Sequence, residues 1–206
     1  DKVYLFDKDS STPLWSYATG GNVYSVSISA DGEYIVAGTG GGSDDKVYLF
    51  DKDSSTPLWS YDTGVDCDYP GAMCDVLSVA ISSDGEYITA SIWEDRVYLF
   101  HKDSSTPLWV YDNTYVEIWS VVISADGEYI VAHDYAGTVY LFDKDSSTPL
   151  WNYTTGGWVF SVAISADGEY IAAGSYDNNV YLFDKDSSTP LWNYTAGNAV
   201  WSVAIS

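Results

Sequence analysis

Short stretches in which large apolar residues alternate recur along the whole chain. In residues 47–50, Val-Tyr-Leu-Phe, both alternating sets are apolar, which is typical of a strand buried on both faces. Residues 51–57 are polar and end in Pro57, so they predict a hairpin connection. Residues 58–61, Leu-Trp-Ser-Tyr, then predict a second strand with Trp59 as its largest side chain.

A second pair of strands is predicted further along the same unit. Residues 76–82 alternate apolar with small residues, which favours a strand between close neighbours. Asp84-Gly85 is typical of a tight turn, and residues 87–90 form the return strand. No window shows helical periodicity, so each unit is predicted to contain four short strands and no helix.

The unit is repeated with a period near 42 residues. The phrase Val-Tyr-Leu-Phe begins at five positions, 44, 50, 42 and 41 residues apart: Val3, Val47, Val97, Val139 and Val180. A fixed period of this length indicates a solenoid, a propeller or an array, and four antiparallel strands make one propeller blade. We therefore expect an all-β propeller of four-stranded antiparallel blades, with four complete blades and a composite or incomplete fifth.

The repeats resemble two known kinds of blade. Residues 161–175, Ser-Val-Ala-Ile-Ser-Ala-Asp-Gly-Glu-Tyr-Ile-Ala-Ala-Gly-Ser, resemble the inner strands of a WD-repeat blade. Residues 47–64 resemble the outer half of a quinoprotein-like (PQQ-like) blade, in which a Trp docks one blade on the next. The nearly identical tandem copies are similar to those of prokaryotic or archaeal surface proteins. The resemblance implies the fold, but no quinone site can be carried over with it, so we expect no cofactor.

One propeller domain over residues 1–206 is predicted. It divides into a partial blade at 1–19, blades at 20–64, 65–112, 113–154 and 155–196, and a terminal inner strand at 197–206. The count leaves one second strand missing. Either the chain is a segment of a longer protein, the interpretation favoured here, or a neighbouring molecule pairs with the open blade edges and causes self-association.

The formal charge of −22 limits the partners of the chain. So acidic a surface repels phosphate backbones, and nucleic acid is not expected as a ligand. The charge favours solubility, or alternatively a salty or calcium-rich exterior. The Asp-rich turn at residues 7–12 lacks the Gly and the distal Glu of the familiar calcium loop, so calcium is kept only as an alternative. No apolar run is long enough to span a membrane.

Candidate ligand-binding residues lie where the copies differ, in the connections between second and third strands and between blades. Both sets of connections emerge on one face of a propeller. Aromatic rings there can stack on sugars or receive cationic peptides, and carboxylates can accept hydrogen bonds. Trp93 and Trp158 lack counterparts in the other copies, whereas core packing is the alternative role of Trp119. The candidates are Asp66, Asp68, Tyr69, Trp93, Glu94, Glu117, Trp119, His133, Tyr135, Trp158 and Tyr176.

Two further features favour an exported protein. Cys67 and Cys74 share the longest insertion with a Pro-Gly turn between them, which favours a local disulfide over a metal site. Asn152 and Asn193 begin Asn-Tyr-Thr triplets, which are acceptor sites for N-linked sugar. An oxidising compartment follows, and we expect an extracellular or cell-surface location.

Function is expected to be binding rather than catalysis. No phosphate loop, catalytic triad spacing or metal-ligand spacing is present in the sequence. We therefore predict a non-catalytic extracellular binding or assembly module for a protein or glycan ligand. The alternatives are a self-assembling surface-layer or filament subunit and a fragment of a quinoprotein-like or carbohydrate-active propeller enzyme.

Overall fold

A computed structural model describes residues 1–41, 44–67, 74–113 and 116–206, and the regular secondary structure of these residues is β-strand apart from one short 3₁₀ turn. An N-terminal half-blade contains β1 (Lys2–Phe6) and β2 (Pro13–Ala18). Blade 1 contains β3 (Asn22–Ile28), β4 (Tyr34–Gly40), β5 (Lys46–Asp51) and β6 (Trp59–Asp62). Blade 2 contains β7 (Val76–Ile81), β8 (Tyr87–Ile92), β9 (Arg96–His101) and β10 (Trp109–Asp112). Blade 3 contains β11 (Ile118–Ile123), β12 (Tyr129–Asp134), β13 (Thr138–Asp143) and β14 (Trp151–Thr154). Blade 4 contains β15 (Val159–Ile164), β16 (Tyr170–Ser175), β17 (Asn179–Asp184) and β18 (Trp192–Thr195).

Within every blade the four strands are antiparallel and lie in chain order. The predicted propeller with an incomplete extra blade is confirmed. A short 3₁₀ turn, Thr63–Asp66, follows blade 1 and was not predicted. The described part of the chain contains no helix of the length and apolarity that a membrane crossing requires.

The turn between first and second strands is built the same way in each blade. In blade 2, the Ser82 hydroxyl donates to Asp84 Oδ1 at 2.6 Å, and the same oxygen accepts from the Glu86 amide at 3.0 Å. Gly85 has φ +75°, a conformation that glycine adopts without a steric penalty. The repeated Asp-Gly-Glu sequence therefore fixes this turn by its own hydrogen bonds.

The apolar core lies between neighbouring blades. Val36 and Leu49 of blade 1 belong to one buried cluster with Val79, Ile88 and Phe100 of blade 2. Because the strands in the middle of each blade contact a neighbour on both faces, their residues are apolar without alternation. One blade alone could not bury its sheet, so stability comes from stacking.

A tryptophan on four of the five described outermost strands joins one blade to the next. The Trp59 Nε1–H of blade 1 donates to the Lys102 carbonyl of blade 2 at 2.7 Å. The same bond is made by three other pairs, at 2.7 to 2.8 Å: Trp15 to Lys52, Trp109 to Lys144 and Trp151 to Lys185. The docking role that the quinoprotein-like resemblance implied for this Trp is confirmed.

The expected terminal inner strand at residues 197–206 has no strand partner among the described residues, in keeping with the missing second strand. Residues 199–206 form no ladder, because no described second strand stands beside them to pair. The segment nevertheless lies against blade 4, where Val200 and Val203 contact Gly174. The Val203 amide donates to Ser161 Oγ at 3.2 Å. Equivalent bonds join earlier blades, from Val79 to Ser25 at 3.1 Å and from Val121 to Ser78 at 3.3 Å.

Candidate binding face

The first strand of every blade carries a β-bulge at one repeated position. The pairing register skips one residue, so this residue has no partner opposite it and the strand bends there. The skipped residues are Tyr24, Leu77, Trp119 and Phe160. Trp201 holds the same position of the repeat in the terminal segment. In the four blades the shared repeat position is therefore a bulge and not an ordinary core position.

A second repeated position lies directly after each second strand. Trp93, Tyr135 and Tyr176 occupy it, and their backbone amides donate to the carbonyls of Asp75 (3.0 Å), Glu117 (2.9 Å) and Trp158 (2.7 Å). The interpretation that Trp93 has no counterpart is wrong, because the strand register aligns it with Tyr135 and Tyr176. The repeated phrase gives the same alignment, because each of the three residues lies four positions before its third-strand valine.

Six aromatic side chains of blades 3 and 4 and the terminal segment form a continuous series of neighbouring rings, here called the aromatic strip: Trp119, Tyr135, Trp158, Tyr176, Phe160 and Trp201. Neighbouring ring centroids in this order are 5.2, 5.1, 5.5, 6.1 and 4.1 Å apart. Four of the six side chains are exposed: Tyr135 (41%), Trp158 (42%), Tyr176 (57%) and Trp201 (67%). The structure thus brings together four of the predicted residues and adds Phe160 and Trp201.

Two carboxylates beside the aromatic strip accept hydrogen bonds from other groups of the protein. Glu117 accepts from Trp119 Nε1 at 3.2 Å. Asp177 accepts from the Tyr181 hydroxyl at 2.6 Å and from the Gly156 amide at 2.8 Å. Burial opposes the ionisation of Asp177, but these hydrogen bonds outweigh it and lower its pKa. Burial, reinforced by Asp177, raises the pKa of Tyr181 to about 12.

The remaining predicted residues of the strand connections lie around the disulfide or outside the described residues. Cys67 and Cys74 are disulfide-bonded as predicted, with their Cα atoms 6.0 Å apart. Glu94 Oε2 is 4.0 Å from Cys74 Sγ, whereas Trp93 is exposed at 37%. The backbone of Asp66 ends the 3₁₀ turn. Asp68 and Tyr69 lie outside the described residues.

The cluster of Cys67, Cys74 and Glu94 does not indicate a metal centre. Their potential ligand atoms lie within 4.8 Å of one another. Both sulfurs are joined in the disulfide, however, so neither is available as the thiolate that binds metal. The calcium alternative stays a prediction.

His133 lies in the core and not on the loop face where the sequence analysis placed it. It is 1% exposed on β12, and its register position is that of Gly38 in blade 1. A Cβ at Gly38 would meet Val76 and Val79 of the next blade, so this position points into the interface between blades. Neither ring nitrogen of His133 has a hydrogen-bond partner among the described residues, and burial lowers its pKa to about 4.

The two predicted glycosylation sites share one location. Asn152 lies on β14 and Asn193 on β18, each the outermost strand of its blade, and both side chains are exposed. A glycan at either position would not disturb the interfaces between blades. Their modification stays a prediction.

Comparison with known proteins agrees with this geometry. The family model for the WD domain, G-beta repeat, matches residues 11–51 and 147–184. The first match runs from the half-blade into β5 of blade 1, and the second runs from β14 to β17. No curated protein matches the chain.

Proposed function

Because the chain is a WD-repeat-like β-propeller, we propose that it is a non-catalytic interaction module whose aromatic strip binds a protein ligand. Repeats of this family point to protein interaction or scaffolding rather than to catalysis. A fold alone does not define a ligand, so the proposal depends on the site.

The observation that carries the proposal is the exposure of the aromatic strip. Trp158 and Tyr176 keep 42% and 57% of their surface in solvent although their rings are 5.5 Å apart. Contiguous exposed aromatic surface is uncommon on proteins without partners, and Trp and Tyr contribute most to binding energy at interfaces. The strip therefore supplies the buried centre of a protein interface.

Charge favours a basic partner. The net charge of −22 attracts cationic chains, and Arg or Lys side chains stack on the faces of Trp and Tyr. Glu117 accepts one hydrogen bond, from Trp119, so its carboxylate keeps acceptor sites that an Arg or Lys side chain can fill. A basic protein segment therefore fits the strip by its charge as well as by ring stacking.

An extracellular location forms part of the proposal. It is supported by the Cys67–Cys74 disulfide, since such bonds persist in oxidising compartments. The exposed Asn-Tyr-Thr triplets at Asn152 and Asn193 fit the same location.

Parallel arrays of basic peptides and of glycans test the proposal. We expect Arg- or Lys-rich peptides to bind and Tyr176→Ala to weaken their binding by about tenfold or more, the effect of losing an interface hot spot. The matched control is Tyr170→Ala, an exposed tyrosine (42%) at the other end of β16, and it should bind like the unchanged protein. Binding to glycans alone, or equal loss in both variants, would refute a protein ligand at the strip.

A further inference from the structure

The interface between outer hairpins is repeated four times within the chain, and this shows what each of its faces binds. At the junction of blades 1 and 2, the rings of Trp59 and Tyr61 lie 5.4 and 5.3 Å from that of Phe100. At the other three junctions the Trp-to-Phe distances are 5.2 to 5.5 Å: Trp15 to Phe50, Trp109 to Phe142 and Trp151 to Phe183. One face thus presents Trp and Tyr, and the opposing face presents Phe.

Both halves of this interface are exposed at the two ends of the molecule. On β18 of blade 4, Trp192 and Tyr194 are 50% and 67% exposed. On β1 of the half-blade, Tyr4 and Phe6 are 51% and 52% exposed. The equivalents of Tyr4 and Phe6 in blade 1, Tyr48 and Phe50, are 4% and 0% exposed because the half-blade covers them. Within one chain, therefore, the β18 surface and the β1 surface do not cover each other.

We propose that the β18 face of one copy binds the β1 face of a second copy. Trp192 and Tyr194 would pack on Phe6 as Trp59 and Tyr61 pack on Phe100. The Trp192 Nε1–H would donate to the carbonyl of Lys8, which follows β1 as Lys102 follows β9. The contact needs only the two outer hairpins, β17–β18 and β1–β2, and each is complete.

The inner surface of blade 1 extends the same contact. Val26 and Ile28 on β3 are 59% and 51% exposed, whereas their equivalents Val79 and Ile81 are 5% and 8% exposed. A groove beside them is lined by Leu5 and Ile35. Residues 200–206 of the copy that contributes its β18 face hold the position of a first strand and would lie against this surface of the other copy. Ser202 would then accept from the Val26 amide, as Ser25 accepts from Val79.

The two faces are different, so the association is head to tail and can add further copies. Each copy carries a formal charge of −22, and the like charges repel. Salt screens that repulsion and leaves the apolar contact intact. Higher ionic strength should therefore strengthen the association, the opposite of its effect on a contact held by ion pairs.

Two complementary variants test the proposal by sedimentation velocity over a wide range of concentrations in high salt. Trp192→Ser/Tyr194→Ser blocks the β18 face, and Tyr4→Ser/Phe6→Ser blocks the β1 face. The unchanged chain should form species larger than the monomer, and each variant alone should stay at or near monomer mass. An equal mixture should form a species of twice the monomer mass, since each variant keeps one intact face.

Trp93→Ser is the matched control, because it removes an exposed Trp (37%) on blade 2, outside the aromatic strip and outside both faces, and it should associate like the unchanged chain. Circular dichroism confirms that each variant is folded before it is compared. A monomeric unchanged chain, or a mixture that stays monomeric, would overturn the proposal. Loss of association in Trp93→Ser alone would assign self-association to another surface and would equally overturn it.

Discussion

The Tyr140 hydroxyl donates to Asp134 Oδ2 at 2.7 Å. Other blades contain an equivalent tyrosine–aspartate hydrogen bond, but their aspartate lies at a different position of the repeat. In blades 1 and 4, Tyr48 donates to Asp44 and Tyr181 to Asp177, at 2.7 and 2.6 Å. Asp44 and Asp177 precede the third-strand valine by three residues, where blade 3 has Ala136. Asp134 supplies the same carboxylate from the end of β12.

Loss of this carboxylate should destabilise blade 3. Asp134 is 2% exposed and accepts from Tyr140, from the Thr138 amide at 2.8 Å and from Asn113 at 3.2 Å. Asp134→Ala leaves buried donors without an acceptor, so we expect a loss of about 3 kcal/mol in urea unfolding. Adding Ala136→Asp restores the arrangement of blades 1 and 4 and should recover most of the stability. If the double variant were no more stable than Asp134→Ala, the equivalence would be wrong.

Stability should fall in mild acid because of His133. Its pKa is about 4 in the folded protein against 6.5 in a free histidine, so the unfolded chain binds more protons between these values. The contribution is complete above pH 6.5 and is lost as pH falls toward 4, by about 3 kcal/mol in all. His133→Ser, which copies Ser91 of blade 2, should remove this part of the pH dependence of the free energy of unfolding. An unchanged slope between pH 6.5 and 4 would contradict the burial of a neutral imidazole.

The tryptophan hydrogen bond between blades should have a measurable effect on stability. Trp109→Phe keeps an aromatic ring but removes the donor to the Lys144 carbonyl, so we expect a loss of about 1–2 kcal/mol. Trp192→Phe is the control, because Trp192 is half exposed and its Nε1 donates to no described residue. The two variants are compared by their urea midpoints at low protein concentration. Equal losses of stability would show that only the size of the ring matters.

Reduction of the disulfide should destabilise the chain. Cys67 and Cys74 are separated by 7 positions, and the chain-entropy estimate for so short a loop is about 2.5 kcal/mol. Reductant should lower the urea midpoint of the unchanged protein and leave that of Cys67→Ser/Cys74→Ser as it is. Titration of the unfolded, unreduced protein should find no free thiol, and two free thiols would contradict the bond.

The repeated phrase predicted the strands because its chemistry is local. Hydrophobic alternation defined β5 and β6 to within one or two residues, and Asp84-Gly85 located a turn that its own side chains stabilise. Residues 199–206 form no ladder for a reason that local pattern does not contain. They have the composition of an inner strand, but a strand also requires a partner at hydrogen-bonding distance.

The candidate site was less predictable, because strand register decides which residues meet. Tyr176 and Trp158 were identified by their variability, whereas Phe160 was missed, since sequence spacing does not show that its ring lies 4.1 Å from that of Trp201. His133 was misplaced because variation between copies also occurs in the core. Aligning the copies by the repeated phrase already reveals the Trp93, Tyr135 and Tyr176 position, since each residue precedes its third-strand valine by four positions.

Because of the bulge in each first strand, the side chain at that position can change without a change in strand pairing. Since Tyr24, Leu77, Trp119 and Phe160 are skipped by the pairing, replacing any of them leaves every rung of its ladder in place. New specificities could therefore be engineered by randomising these residues together on an unchanged scaffold.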